Sequence, residues 1–140
     1  MATRKYQGKK FENSSSLRAV DSLTVEEALQ ININNNPFTV SMRTPGDDIS
    51  LVRGMLHSEG ILKNSTFTPD LILKKENDEG IVTIVDLTIP KNELGEGYLN
   101  SRSLLSVSSC GICGRTELGE LSFLGKTIDD TNKIDIAILN

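Results

Sequence analysis

Two runs of alternating apolar and polar residues limit the fold of this chain more than any other feature. They lie at residues 29–34 and 38–43, and the asparagines and the proline of residues 34–37 suit a turn between them. Alternation with a period of two is typical of a half-buried strand, so the pattern predicts a β-hairpin. The apolar residues predicted to face inward are Leu29, Ile31, Ile33, Phe38, Val40 and Met42. On the second strand, the residues predicted to face outward are Thr39, Ser41 and Arg43.

An amphipathic helix is predicted to follow this hairpin. Thr44 is expected to be its N-cap, with Pro45 at the first helical position, and Gly60 is expected to end it. Gly54, inside the helix, is expected to allow close approach of another backbone. The apolar arc of the helix is predicted to contain Ile49, Leu51, Val52, Met55 and Leu56.

A second hairpin is predicted for residues 70–75 and 81–89, around a turn at residues 77–80. Residues 81–89 are apolar or β-branched on both faces apart from Asp86, which predicts a central strand. Residues 104–107 are predicted to form a short strand.

These elements predict the α/β class, in an α+β-like arrangement: a mixed sheet of hairpins with one amphipathic helix. Regular structure is expected to begin near Asp21, after a mobile tail at residues 1–20. The predicted domain is residues 21–107, followed by a cysteine loop at residues 108–115. Residues 116–140 are expected to begin a second domain that is missing, because the chain stops on an apolar stretch.

The composition limits the expected partners and location. At 37% hydrophobic and 24% charged residues, the chain has the composition of a soluble globular protein. It contains no apolar run of about 18 residues and no secretory signal, so we expect a cytoplasmic protein without a membrane span. The net charge of −4 argues against a nucleic-acid partner.

The two cysteines of the chain are three residues apart, at Cys110 and Cys113. A C-x-x-C pair in a reducing compartment is more often catalytic or metal-binding than structural. The reactive form of a thiol is the thiolate, which nearby cations and backbone amides favour. Gly111 and Gly114 allow the backbone amides to turn toward one point. The sequence therefore predicts a reactive sulfur site.

Three other interpretations of the cysteine pair stay open. The pair can be a buried structural pair. It can be a zinc half-site, although two cysteines and one histidine are too few for tetrahedral zinc unless a dimer or carboxylates add ligands. It can also be a thioredoxin-like redox pair, but the glycines around Ile112 favour a loop over the start of a helix.

Four stretches of the sequence carry a family resemblance. They are residues 25–34, residues 42–48, residues 54–61 and residues 108–114. In this order they resemble the FdhD/NarQ family of formate dehydrogenase accessory sulfurtransferases, over roughly residues 21–125. The last stretch is the most specific, because its two serines, two cysteines and two glycines all match the family signature. The resemblance also implies that a cytidine-deaminase-like second half is absent.

The resemblance implies an accessory sulfurtransferase. Such a protein carries sulfur as a persulfide from a cysteine desulfurase to the molybdenum cofactor (bis-MGD), which is then inserted into formate dehydrogenase. Expected partners are therefore the desulfurase, formate dehydrogenase, the cofactor nucleotide and a second copy in a homodimer. The alternatives are a non-catalytic docking scaffold for formate dehydrogenase maturation and a zinc-bridged dimer module.

The resemblance also assigns roles to residues. Cys110 and Cys113 are expected to carry the sulfur jointly, with no metal and no covalently bound cofactor. Thr44 and Glu59 match the family pattern and are candidates for substrate or interface contacts. The residues expected to support the loop are Ser108, Ser109, Gly111, Gly114 and Arg102.

Overall fold

The computed structural model describes residues 3–12 and 15–99 and six isolated residues, Ile112, Arg115, Thr116, Thr131, Asp135 and Ile138. The strands are β1 (Thr3–Glu12), β2 (Ser15–Thr24), β3 (Glu27–Ile33), β4 (Asn36–Arg43), β5 (Asp70–Glu76) and β6 (Val82–Thr88). The helices are α1 (Asp48–Ser58), a 3₁₀ turn (Lys91–Glu93) and the short α2 (Glu96–Leu99). The predicted mixed class is confirmed, whereas the predicted strand at residues 104–107 lies outside the described residues.

Four strands form one mixed sheet in the order β4-β3-β6-β5. β3 and β6 are parallel, and the other neighbours are antiparallel. The prediction that residues 81–89 form a central strand is confirmed. One face of the sheet packs against α1 in a single core. The core residues are Leu29, Ile31, Ile33, Phe38, Val52, Leu56, Ile61, Val85, Leu87 and Ile89.

β1 and β2 form a separate two-stranded antiparallel ribbon, called the N-terminal arm below. Each strand has ten residues, nearly all of them exposed. The expectation that regular structure begins near Asp21 is therefore wrong. The sequence did not predict the arm because its strands bury no apolar face. Its sequence therefore lacks the alternation that indicates a half-buried strand.

The predicted first hairpin is confirmed, with a shorter turn than expected. Only Asn34 and Asn35 form the turn, with positive φ angles of 51° and 65°. Asparagine tolerates this backbone region, and two such residues match the twist of the adjoining strands. Asn36 and Pro37 belong to β4 instead, where the proline is tolerated because β4 is an edge strand.

A one-residue bulge reverses the predicted orientation of β4. The register shifts after Ile31, and Phe38 has no partner on β3. Such a shift exchanges the two faces of a strand. Phe38 packs in the core as predicted, but Val40 is buried outside that core cluster. The outward prediction for Thr39 and Arg43 is wrong, since both are only 7% exposed.

The Arg43 side chain ties β4 to three other elements. Its Nε donates to Asp48 Oδ1 in α1 at 2.8 Å. Its Nη1 donates to the Glu27 carbonyl of β3 at 3.1 Å, and its Nη2 donates to the Val82 carbonyl of β6 at 2.6 Å. Asp48 is also 7% exposed, so this is a buried ion pair. A buried charge needs such partners, because leaving it unpaired is costly.

The ion pair also explains why α1 begins later than predicted. The N-cap is Asp47, and no side chain caps the helix. Thr44 is therefore not the N-cap, and Pro45 lies before the helix. Asp48, the first helical residue, is held by Arg43, so a long-range contact sets the start of α1.

The end of α1 is as predicted. Gly60 has a φ of 62°, which glycine adopts without strain. The Gly60 N–H donates to the His57 carbonyl at 3.3 Å, and the Ile61 N–H donates to the Leu56 carbonyl at 3.0 Å. This pair of hydrogen bonds is a Schellman motif.

The apolar arc of α1 is narrower than predicted. Val52 and Leu56 are fully buried, whereas Ile49 is 42% and Leu51 39% exposed. Among the described residues, a Cβ placed at Gly54 would have no atom within 4 Å, so the expected close approach is wrong for this part of the chain.

The second hairpin is confirmed. On the face of the sheet away from α1, a row of polar side chains runs from β3 across β6 to β5. Gln30 Nε2 donates to Asn32 Oδ1 at 2.8 Å, and Asn32 Nδ2 donates to Asp86 Oδ1 at 2.7 Å. Lys74 of β5 forms an ion pair with Asp86. The hydrogen bond from Lys74 lowers the pKa of Asp86 below its ordinary value; burial opposes this shift, and the Asn32 hydrogen bond adds to it.

Replacing Arg43 tests the buried ion pair. We expect Arg43→Met to lower the free energy of unfolding by about 3 kcal/mol, because it leaves the Asp48 carboxylate buried without a cation. The double variant Arg43→Met/Asp48→Leu should recover most of this loss. Urea denaturation followed by circular dichroism measures both. A single variant no less stable than the double variant would contradict the assignment.

The lowered pKa of Asp86 predicts how the free energy of unfolding depends on pH. Because its pKa is lowered in the folded state, its ionised form stabilises the fold above the unfolded pKa of about 3.9. This stabilisation is lost as the pH falls through the lower folded pKa. We therefore expect the free energy of unfolding to fall less steeply below about pH 4 in Asp86→Asn than in the wild type. Lys74→Met should flatten the same curve, and identical curves for all three proteins would exclude this role.

Candidate functional site

The structure describes the attachment points of the cysteine segment. The predicted site residues Arg102, Ser108, Ser109, Cys110, Gly111, Cys113 and Gly114 lie outside the described residues. Ile112, between the two cysteines, and Arg115, after the second glycine, are described. The contacts of Arg115 and of the residues up to Leu99 therefore locate the two ends of the segment.

The downstream end is attached to the edge strand β4. The Val40 N–H donates to the Arg115 carbonyl at 2.8 Å. An edge strand has backbone groups that no neighbouring strand uses, so it can accept a crossing segment. The Arg115 N–H also donates to the Ile112 carbonyl at 3.4 Å, a long hydrogen bond between the residues that flank Cys113 and Gly114.

The upstream end is also attached to β4. The ring of Tyr98 in α2 stacks on the ring of Phe38, with 5.7 Å between centroids and 17° between planes. Phe38 is the bulge residue of β4 and is 8% exposed. Because of the bulge, the Phe38 ring can stack on Tyr98, and this contact fixes the chain just before residue 99.

Two glycines strengthen this upstream attachment by packing on the end of α1. The Gly95 N–H donates to the Ile61 carbonyl at 2.8 Å, and the Gly97 N–H donates to the Gly60 carbonyl at 3.0 Å. A Cβ at Gly97 would overlap the carbonyl oxygen of Glu59, so the two backbones can approach only because residue 97 has no side chain.

Both ends of the cysteine segment thus meet the same strand. Phe38 and Val40 are two residues apart along β4, a distance of about 7 Å. Tyr98, before the segment, contacts the first of these residues, and Arg115, after it, contacts the second. The thiols therefore belong to a segment whose two ends are fixed on the sheet.

The structure does not bring the two other candidates together. Thr44 precedes α1 and Glu59 follows it, and an α-helix of 11 residues is about 16 Å long. Both side chains are exposed. Glu59 contacts the upstream attachment through its backbone at Gly97, whereas Thr44 lies at the opposite end of the helix.

Two findings concern metal ligands and membrane-spanning helices in the described part of the chain. Within it, no three His, Cys, Asp or Glu side chains are grouped to hold a metal ion. Within the same part, no helix is long and apolar enough to span a membrane.

A model of the FdhD/NarQ family matches residues 24–138. The chain belongs to the FdhD/NarQ family. The predicted family is therefore confirmed. The match includes the four-stranded sheet and the cysteine segment, and it begins at the last residue of β2, so it leaves out nearly all of the N-terminal arm.

Curated relatives agree with the FdhD/NarQ assignment. The protein named sulfur carrier protein FdhD in Streptomyces avermitilis is 32% identical over 115 residues, covering 79% of this chain and 41% of the relative. The protein of the same name in Picrophilus torridus is 38% identical over 104 residues, covering 70% of this chain and 36% of the relative. The protein of the same name in Sulfolobus acidocaldarius is 29% identical over 138 residues, covering 99% of this chain and 51% of the relative. This FdhD/NarQ chain thus spans between 36% and 51% of the length of these relatives. No solved structure matches it.

Two of the stretches that resemble FdhD/NarQ proteins have structural roles here. Residues 42–48 contain Arg43 and Asp48, the buried ion pair that joins β4 to α1. Residues 54–61 contain the Schellman motif at Gly60, on which Gly97 packs. Both stretches position the strand and the turn that hold the cysteine segment.

Alanine substitution at Gly97, with Gly54 as the control position, tests the upstream attachment. We expect Gly97→Ala to lower the free energy of unfolding by about 2 kcal/mol, because the new methyl group overlaps the Glu59 carbonyl. The control Gly54→Ala, at an open helical position, should raise it by up to about 1 kcal/mol. Urea denaturation measures both. A Gly97→Ala variant as stable as the wild type would show that the backbones are not in close contact.

Proposed function

We propose that this chain is a sulfur carrier of the accessory sulfurtransferase type. It takes sulfur as a persulfide from a cysteine desulfurase and passes it to the molybdenum cofactor (bis-MGD) for formate dehydrogenase. The observation that carries the proposal is the attachment of both ends of residues 99–114 to β4, which keeps the two thiols on one tethered segment. The name of the relatives, sulfur carrier protein FdhD, supports the same chemistry.

The first step is a thiol exchange. A thiolate of the pair attacks the outer sulfur of the donor persulfide, and a new S–S bond forms on the carrier. The S–S bond of the donor breaks, and its electron pair leaves with the thiolate of the donor cysteine. No oxidant or reductant is consumed, because one persulfide replaces another.

The second cysteine allows the sulfur to be released. Its thiolate attacks the inner sulfur of the persulfide, and hydrosulfide leaves with the electron pair of the broken S–S bond. The two thiols supply both electrons and form a disulfide with each other. A dithiol reductant then restores the pair.

The tether distinguishes the two cysteines. Arg115 is held at β4, so covalent geometry keeps Cys113 within about 7 Å of it and Cys110 within about 18 Å. The longer reach suits the thiol that must enter the active site of a donor. We therefore assign the carrier role to Cys110 and the releasing role to Cys113.

Mass spectrometry tests the relay. After incubation with a cysteine desulfurase and cysteine, the protein should gain about 32 mass units, one sulfur, in a form that a reductant removes. We expect Cys110→Ser to abolish the adduct and Cys113→Ser to retain it. The reverse result would exchange the two roles.

Two controls separate the relay from its alternatives. If neither cysteine variant changes the adduct, relay through this segment is wrong. A docking scaffold would bind formate dehydrogenase equally well with both cysteines replaced and would acquire no adduct. A zinc-bridged dimer would contain about one zinc per dimer, released when the cysteines are alkylated.

A further inference from the structure

The two faces of the N-terminal arm carry different side chains. Residues directly opposite each other on paired strands point to the same side of a sheet, and successive residues along a strand point to opposite sides. The register therefore divides the arm into two faces. One face, called the tyrosine face below, contains Arg4, Tyr6, Gly8, Lys10, Glu12, Ser15, Leu17, Ala19, Asp21 and Leu23. The other face contains Thr3, Lys5, Gln7, Lys9, Phe11, Ser16, Arg18, Val20, Ser22 and Thr24.

The tyrosine face exposes three large apolar side chains. Leu17 is 62% exposed, Tyr6 59% and Leu23 49%. No side chain of the arm belongs to the core cluster of the described residues. A two-stranded ribbon is at best marginally stable in water unless another element packs on it. Covering these side chains would therefore stabilise the arm.

The charged residues of the tyrosine face have both signs. Arg4 and Glu12 lie near its two ends, and Asp21 and Lys10 lie between them. Arg4 pairs with Glu79 of the β5–β6 turn, and Lys10 pairs with Glu12 at 3.1 Å. Within the described part of the chain, no ion pair involves Asp21. A face that carries both signs can match a second copy of itself.

An antiparallel arrangement of two arms places opposite charges together. A two-fold axis that crosses the arm at Gly8 and Ala19 brings each cross-strand pair opposite the pair equally far on the other side of the axis. Arg4 then faces Glu12 of the partner subunit. Gly8 and Ala19 are small, so the two arms can approach closely at the axis.

The same axis matches the remaining rows of the face. Tyr6 is opposite Asp21 on the paired strands, and Lys10 is opposite Leu17. The first pair faces the second pair of the other copy. Each Lys10 ammonium group then lies near a carboxylate and an aromatic ring, both of which attract a cation.

The opposite face of the arm does not match a copy of itself. Its charged residues are Lys5, Lys9 and Arg18, and it contains no aspartate or glutamate. Two such faces would bring like charges together, which opposes association. The charge pattern therefore selects the tyrosine face.

We propose that two copies of this chain associate through the tyrosine faces of their N-terminal arms. The contact covers the exposed apolar side chains and places each Lys10 beside Asp21 of the other copy. The match to the FdhD/NarQ family begins at Thr24, so the family assignment does not explain the arm. The proposal does not depend on the cysteines.

Sedimentation equilibrium of the full chain tests this contact. A thiol reductant and EDTA in the buffer exclude disulfide and zinc bridges. The wild type should form dimers of twice the monomer mass of 15.3 kDa. Lys10→Glu and Asp21→Lys should each weaken dimerisation about tenfold or more, because each creates two like-charge contacts per dimer. The control Lys9→Glu makes the same charge change on the opposite face and should dimerise within about threefold of the wild type.

An equal mixture of the Lys10→Glu and Asp21→Lys variants separates a lost contact from a folding defect. In the mixed dimer, opposite charges meet again at both contacts, so dimerisation should return to within about threefold of the wild type.

Each other outcome overturns the proposal. A wild type that stays monomeric up to about 0.1 mM excludes the contact. Dimers that neither single variant weakens form through another surface, and equal weakening by Lys9→Glu and Lys10→Glu shows only an effect of net charge. A mixture that stays monomeric excludes the pairing of Lys10 with Asp21. The sulfur adduct is measured separately, so the two proposals fail independently.

Discussion

The buried pair of Arg43 and Asp48 is the interaction on which the rest of the structure depends. Through it, one guanidinium group joins the end of β4 to the start of α1 and to the backbones of β3 and β6. Its burial requires the bulge at Phe38, because only the shifted register turns Arg43 toward α1. The same bulge gives Phe38 a position against Tyr98. One local irregularity thus serves both the ion pair and the attachment of the cysteine segment.

The parts of the fold that could be predicted from the sequence are those with local causes. The turn at Asn34, the turn that ends at Gly80 and the end of α1 at Gly60 each need a positive φ angle, and each has asparagine or glycine at that position. The turns of the two hairpins and the end of α1 follow from such residues, and the flanking strands follow from their apolar patterns.

The parts that could not be predicted have non-local causes. Nothing near Phe38 in the sequence indicates a bulge. Without a bulge, the alternation of residues 38–43 would place Arg43 on the side that faces solvent. Its burial depends on carbonyl groups of residues 27 and 82, which are distant in sequence. The N-terminal arm is held by pairing between its two strands, so its sequence carries no burial pattern. For the candidate site, the spacing of the two cysteines predicted a reactive sulfur site and the resemblance implied its role, whereas the contacts of Tyr98 and Arg115 with β4 required the structure.

The fixed ends of the cysteine segment have a consequence for sulfur relay. A persulfide must be exposed to receive sulfur and must be protected from other thiols while it is carried, because any thiolate can attack it. A free tail would meet the first requirement only. Here the chain on both sides of the cysteine segment contacts β4, at Phe38 through Tyr98 and at Val40 through Arg115. Since β4 is held in place by Arg43, the buried ion pair and the contacts of Tyr98 and Arg115 depend on the same strand.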